Sequence, residues 1–153
     1  MKRTQAGFTI IELLVVMGII IALMAVAVVV FQPRSDVRLS ARAVKTRLDA
    51  ARAWAVAHRQ RTTLAFGNGP DGRAHYVTID TAGKPLHGTN FLEAGVVFAD
   101  CSVEQITFKP DQTVAGDAAE YRIGIARSVG GKPQHWELRV AKSTGAVTMR
   151  EVE

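Results

Sequence analysis

The feature that most constrains this chain is an apolar run without a charged side chain, residues 13–31. A helix of that length, rising 1.5 Å per residue, is about 28 Å long, close to the hydrocarbon thickness of a bilayer. A cleaved secretory signal has a shorter apolar region that ends in small residues, and a buried soluble helix shows a polar face. The run therefore predicts a transmembrane helix, and Lys2 and Arg3 before it predict a cytoplasmic amino terminus.

One carboxylate, Glu12, stands at the start of this run, five residues after Gly7. A carboxylate in a bilayer-length segment costs several kcal/mol unless a cation pairs with it. Glu12 therefore predicts a functional partner for its charge.

Length and charge set looser bounds. The chain has 153 residues, enough for one modest soluble domain once the apolar segment is set aside. Its net charge of +5 permits contact with nucleic acid or an anionic surface without requiring it. A single cysteine, Cys101, excludes an intrachain disulfide and any multi-cysteine metal site.

A second helical segment follows Pro33, which predicts a break or kink. Apolar residues then recur at spacings of three and four and predict one buried stripe: Val37, Ala41, Val44, Leu48, Ala51 and Ala55. A neighbouring stripe is basic: Arg38, Arg42, Lys45, Arg52 and Arg59. Such a stripe either contacts phosphates or a partner protein, or is simply a solvated helix face, which is the commoner case.

After residue 61 the chain changes to short β-type runs separated by glycine-rich turns. The predicted strands are residues 62–66, 75–79, 95–99, 105–108, 121–126, 135–140 and 146–150. The first two are expected to form one hairpin, and the runs at 121–126 and 135–140 another. The predicted fold class is α+β, a long amino-terminal helix whose amphipathic second half packs on an antiparallel sheet.

The stretch Gly7-Phe8-Thr9-Ile10-Ile11-Glu12-Leu13-Leu14, after a short basic leader, closely resembles the type IV prepilin signature. The resemblance implies that a prepilin peptidase cleaves after Gly7 and that the new Phe8 amine is N-methylated. It also implies that Glu12 pairs with the amine of a neighbouring subunit during assembly. Pairing with Phe8 of the same chain is the alternative, since residues four apart share a helix face, and the two are compatible.

Within this superfamily the soluble part resembles minor pilins and pseudopilins of the GspH/FimT-like type. Two positions depart from their pattern: Gln112 stands where a glycine commonly follows the Pro-Asp pair, and residues 145–148 lack the Gly-Arg-x-Arg patch of DNA-binding members. The implied organisation is a leader, residues 1–7, a transmembrane and assembly helix, 8–31, an amphipathic helix, 32–61, and a periplasmic β-sheet domain, 62–153. The implied partners are other pilin or pseudopilin subunits, the prepilin peptidase, the inner-membrane assembly platform and, before assembly, the bilayer.

No group of residues predicts catalysis, a metal site or a cofactor. The histidines, His58, His75, His87 and His135, have no metal-site spacing, and Cys101 has no local base signature. Asp71 and Asp80 lack the spaced carboxylates of a calcium loop, and the glycines at 67, 69 and 72 predict a turn rather than a nucleotide fingerprint. Trp54 and Trp136 are expected in a core or interface rather than stacked on bases.

The sequence therefore predicts a structural subunit of a secretion pseudopilus or a type IV pilus, and not an enzyme. Two alternatives stay open at this point. One is a DNA-uptake minor pilin, and the other is a signal-anchored periplasmic binding domain or enzyme.

Overall fold

The structure is a computed structural model that describes residues 10–30, 37–127 and 134–152, with the backbone alone for residues 26–30. The chain divides into two compact units, residues 1–34 and 35–153. In the first unit, helix α1 runs over Ile10–Val30 and has Glu12 in its first turn. Its described side chains are all exposed.

Within the described residues, no helix is both long enough and apolar enough to cross a membrane. The membrane segment predicted for residues 8–31 includes residues 8, 9 and 31, which lie outside the described residues, so it stays a prediction.

The second unit is one helix followed by eight strands. Their bounds are α2 Val37–His58, β1 Thr62–Asn68, β2 Ala74–Ile79, β3 Asn90–Phe91, β4 Val96–Ala99, β5 Gln105–Phe108, β6 Glu120–Arg127, β7 His135–Ala141 and β8 Val147–Val152. The predicted α+β class is confirmed, and the seven predicted strands lie within two residues of those observed. The strand missed is β3, whose two residues are too few to show an alternating pattern.

Helix α2 is held by the apolar stripe predicted from the sequence. Its buried residues are Val37, Ser40, Ala41, Val44, Leu48, Ala51 and Ala55. The helix contacts β1, β2 and β5 on one side and β6, β7 and β8 on the other. Strands β1, β2 and β5 bury alternate residues, so that Leu64 and Ile106, for example, are 0% and 1% exposed. One helix face therefore supplies the core of the whole unit.

The strands form two antiparallel four-stranded sheets rather than the single sheet predicted. Their orders are β3-β2-β1-β5 and β4-β6-β7-β8. Between them a side chain replaces a backbone ladder: the Asn68 amide donates to the carbonyl oxygen of Phe98 at 2.8 Å and accepts from its N–H at 3.0 Å. The strand pattern predicts which residues face the core, but it does not predict where a sheet is divided.

A tight turn after β5 places Gln112 in a backbone conformation that favours glycine. Gln112, at the position where a glycine is common, has a φ of 70°, in the left-handed region that favours glycine. Its side-chain oxygen accepts a hydrogen bond from Arg52 of α2 at 2.5 Å. Its carbonyl oxygen lies over Gly145, where a Cβ would come within 2.4 Å of it. Gln112 thus combines an unfavourable backbone conformation with a contact to the helix.

Substitutions at this turn should separate those two effects. Gln112→Gly and Gln112→Ala both remove the hydrogen bond to Arg52, and only glycine relieves the positive φ. We expect the glycine variant to be more stable than the alanine variant by about 1 kcal/mol. The measurement is urea unfolding followed by tryptophan fluorescence, and an alanine variant as stable as the glycine variant would contradict the assigned conformation.

Candidate functional site: assembly helix and basic face

The structure describes the predicted assembly residue, Glu12, but not the predicted processing site. Gly7 and Phe8 lie outside the described residues, so cleavage and methylation stay predictions. Glu12 lies in the first turn of α1 and is exposed.

The side chains of α1 that the structure describes are apolar apart from Glu12. The large ones are exposed, from 45% for Val16 to 80% for Ile10. A helix without a polar face requires an apolar environment, supplied either by lipid or by other helices. Its described surface therefore favours contact with other apolar groups over contact with water.

The basic stripe of α2 is used largely within the molecule. Lys45 forms an ion pair with Asp49 at 2.7 Å, one turn away on the same helix. Arg52 donates to Gln112 and thereby holds the turn after β5. The guanidinium carbon of Arg38 lies 5.8 Å from the centre of the Trp136 ring in β7. These contacts give the three residues a structural use that the sequence pattern did not predict.

The other two residues of the stripe are exposed. Arg42 lies on the outer side of α2, and Arg59 follows the end of the helix with a φ of 53°. The five residues therefore do not converge on one pocket. DNA contact by this stripe stays a hypothesis without a geometric site behind it.

Sequence reasoning missed a further arginine, Arg47, on the other flank of α2. It donates to the side-chain oxygen of Asn90 at 3.4 Å. Burial raises the pKa of the Tyr76 hydroxyl, and the charge of Arg47 and its hydrogen bond to Tyr76 partly oppose that rise. Arg47 thus connects the helix to β2 and β3. Arg47 directly precedes Leu48 of the apolar stripe. Its position at the edge of that stripe is the one sequence signal that could have predicted a contact with the strands.

The other candidate side chains have ordinary structural environments. His58 stacks on Trp54 with ring centres 4.2 Å apart, and Trp136 packs against the core. The Asp80 carboxylate accepts the amides of Ala82 and Lys84, each at 2.8 Å, in a turn. Among the described residues there is no group of three or more histidine, cysteine, aspartate or glutamate side chains that could hold a metal.

Cys101 also lacks the environment of a nucleophile. Its thiol is partly buried and lies 3.7 Å from the carbonyl oxygens of Ala99 and Gly124. Burial raises the pKa of the thiol, and the negative charge of Asp100 adds to the rise. The reactive thiolate form is therefore less populated at a given pH here than in a free cysteine.

Comparisons with known proteins agree with this description. Residues 2–28 match the prokaryotic N-terminal methylation motif. Two crystal structures of the type IV minor pilin FimU from Pseudomonas aeruginosa strain PAO1 have the same fold. In space group P21 the TM-score is 0.61 at 18% identity, over 78% of this chain and 92% of FimU. In space group P65 it is 0.58 at 16% identity, over 74% and 91%. No curated protein matches the sequence.

The motif and the fold agree with the resemblance to type IV pilin-like proteins. The motif covers the amino-terminal segment, and the fold covers most of the chain. Neither is that of an enzyme family.

The environment of Cys101 predicts slow alkylation. The rate of reaction with iodoacetamide should rise with pH to a midpoint above the value of about 8.5 for a free cysteine, because the raised pKa lowers the thiolate fraction at each pH. The same protein unfolded in urea serves as the control and should return to the ordinary midpoint. A folded-state midpoint at or below the ordinary value would show an activated thiol and contradict this description.

Proposed function

We propose that this protein is a minor pilin or pseudopilin, a structural subunit of a type II secretion pseudopilus or a type IV pilus. The observation that carries the proposal is the joint presence of a methylation motif at residues 2–28 and the fold of a minor pilin over 78% of the chain. Its nearest type is the GspH/FimT-like group, to which the soluble part is similar. Its role is assembly, exerted by surfaces rather than by chemistry.

Maturation in this proposal begins at the leader. A prepilin peptidase cleaves between Gly7 and Phe8, and the amine released on Phe8 becomes N-methylated. Until assembly, the apolar helix anchors the subunit in the inner membrane as a single pass. The basic residues Lys2 and Arg3 hold the leader in the cytoplasm, and the β-rich unit lies in the periplasm.

Cleavage also places a cation, the new amine of Phe8, close to Glu12 in the sequence. The amine of Phe8 lies four residues before Glu12, a helical rise of about 6 Å. A carboxylate in an apolar environment costs several kcal/mol when unpaired, and the cost falls when a cation satisfies it. An amine from a neighbouring subunit would fix the axial stagger between subunits, whereas pairing within the chain would only neutralise the charge.

Assembly then replaces lipid around α1 by helices of other subunits. The inner-membrane assembly platform and the other pilin or pseudopilin subunits are the partners of this step. The exposed apolar side chains of α1 suit both environments, which is what a segment moving from bilayer to filament requires.

Intact-mass measurement tests the maturation step. In a host with prepilin peptidase, the protein should lose residues 1–7 and gain one methyl group on Phe8. In a host lacking the peptidase, it should keep Met1. An uncleaved chain in both hosts would overturn the proposal and favour a signal-anchored periplasmic protein.

A substitution of Glu12 tests the pairing. Glu12→Val should leave membrane insertion intact, because it removes a charge from an apolar segment, and should abolish incorporation into filaments. Leu14→Val, a change of similar size on the same helix, is the matched control and should assemble normally. Sheared filament fractions and carbonate-washed membranes report the two steps separately, and normal incorporation of Glu12→Val would remove the proposed pairing.

A further inference from the structure

A shallow groove lies between the first turns of α2 and the short strand β3. It has a volume of about 250 Å³ and is lined by Leu39, Ser40, Ala43, Phe91, Leu92 and Glu93. Leu39 and Phe91 are each 52% exposed, which is high for large apolar side chains. They stand on the α2 side and the β3 side of the groove, so that together they form one apolar patch on this end of the unit.

Arginine side chains lie over aromatic rings on both flanks of the same helix end. The guanidinium carbon of Arg73 is 4.8 Å from the centre of the Phe91 ring, and that of Arg38 is 5.8 Å from the Trp136 ring. Arg38 and Leu39 are consecutive residues in the first turn of α2. Aromatic rings beside cationic groups are typical of the headgroup layer of a membrane, where one part of the pair is apolar and the other is hydrated.

The covalent chain keeps this patch close to the predicted membrane segment. Leu39 follows Phe31, the last residue of the apolar run, by eight residues. Even a fully extended chain of that length spans at most about 29 Å. A domain tethered at this distance meets the bilayer surface at a high effective concentration, so that weak contacts suffice.

We propose that this end of the globular unit docks on the outer surface of the inner membrane, with Leu39 and Phe91 inserted among anionic phospholipid headgroups. The inference rests on the membrane anchor of the proposed function. The nearby arginines Arg38, Arg47 and Arg73 supply the positive charge, opposed within the groove by Glu93. Exposed apolar side chains beside an excess of positive charge are complementary to an anionic lipid surface, which is the occupant proposed here.

The two tryptophans of the chain allow a direct test. The full-length protein is reconstituted in phosphatidylcholine vesicles, with and without phosphatidylglycerol, whose acyl chains carry bromine near the headgroups. Trp54→Phe leaves Trp136 as the only fluorophore, and Trp136→Phe leaves Trp54, which lies sixteen residues beyond Arg38 on α2, about 24 Å along the helix. Bromine should quench Trp136 at least about threefold more than Trp54, and more strongly with the anionic lipid.

Substitutions locate the contact. In the Trp54→Phe protein, Phe91→Ser or Leu39→Ser should reduce the quenching of Trp136 by about twofold or more, since each removes an inserted side chain. Val56→Ser is the matched control, because Val56 is 39% exposed at the other end of the same helix, and it should change nothing.

The outcomes separate this inference from the proposed function. Equal quenching of both tryptophans, in protein that resists carbonate extraction, would overturn the docking and leave the anchor intact. Protein that carbonate removes from the vesicles would overturn both. If Phe91→Ser blocks filament incorporation while Trp136 quenching is unchanged, the patch is a subunit contact and the docking is wrong.

Discussion

The globular unit depends on one apolar face of one helix. Residues from Val37 to Ala55 on α2 contact strands of both sheets, and the sheets are otherwise joined by few ladder interactions. Comparable substitutions of buried leucine by alanine cost about 2–5 kcal/mol, so loss of a side chain such as Leu48 would weaken both sheets at once. The helix is therefore the structural centre of the unit, although it lies at its amino-terminal edge in sequence.

This dependence explains how the charged residues on α2 are used. Because the helix must be held in one position, its flanks carry polar contacts to the strands and turns on either side. Arg47 reaches Asn90 beside the first sheet, and Arg52 reaches the turn after β5. The basic stripe, which the sequence offered as a candidate binding face, is thus used in large part for contacts within the unit. At the amino-terminal end of the stripe, Arg38 lies beside the Trp136 ring of β7.

The two units pose different physical problems. The described side chains of helix α1 are exposed and, apart from Glu12, apolar. The unit of residues 35–153 encloses its own core. In such a protein the apolar surroundings of α1 can change from lipid to other helices while the unit of residues 35–153 keeps its fold. That division is what the proposed passage from bilayer to filament requires.

The sequence by itself determined the elements and their buried faces. The apolar run, the α2 stripe and the alternating strands are visible in the sequence because side chains repeat with a fixed period along a helix or a strand. The Gly7 to Leu14 signature likewise predicted a pilin-like chain, and the methylation motif and the fold agree with that prediction. Only the tertiary structure decided that the strands divide into two sheets and that Asn68 joins them through Phe98. It also decided that Arg38 meets Trp136, nearly a hundred residues away. Such contacts form between segments that are far apart in the sequence, and no local sequence pattern specifies which distant segments meet.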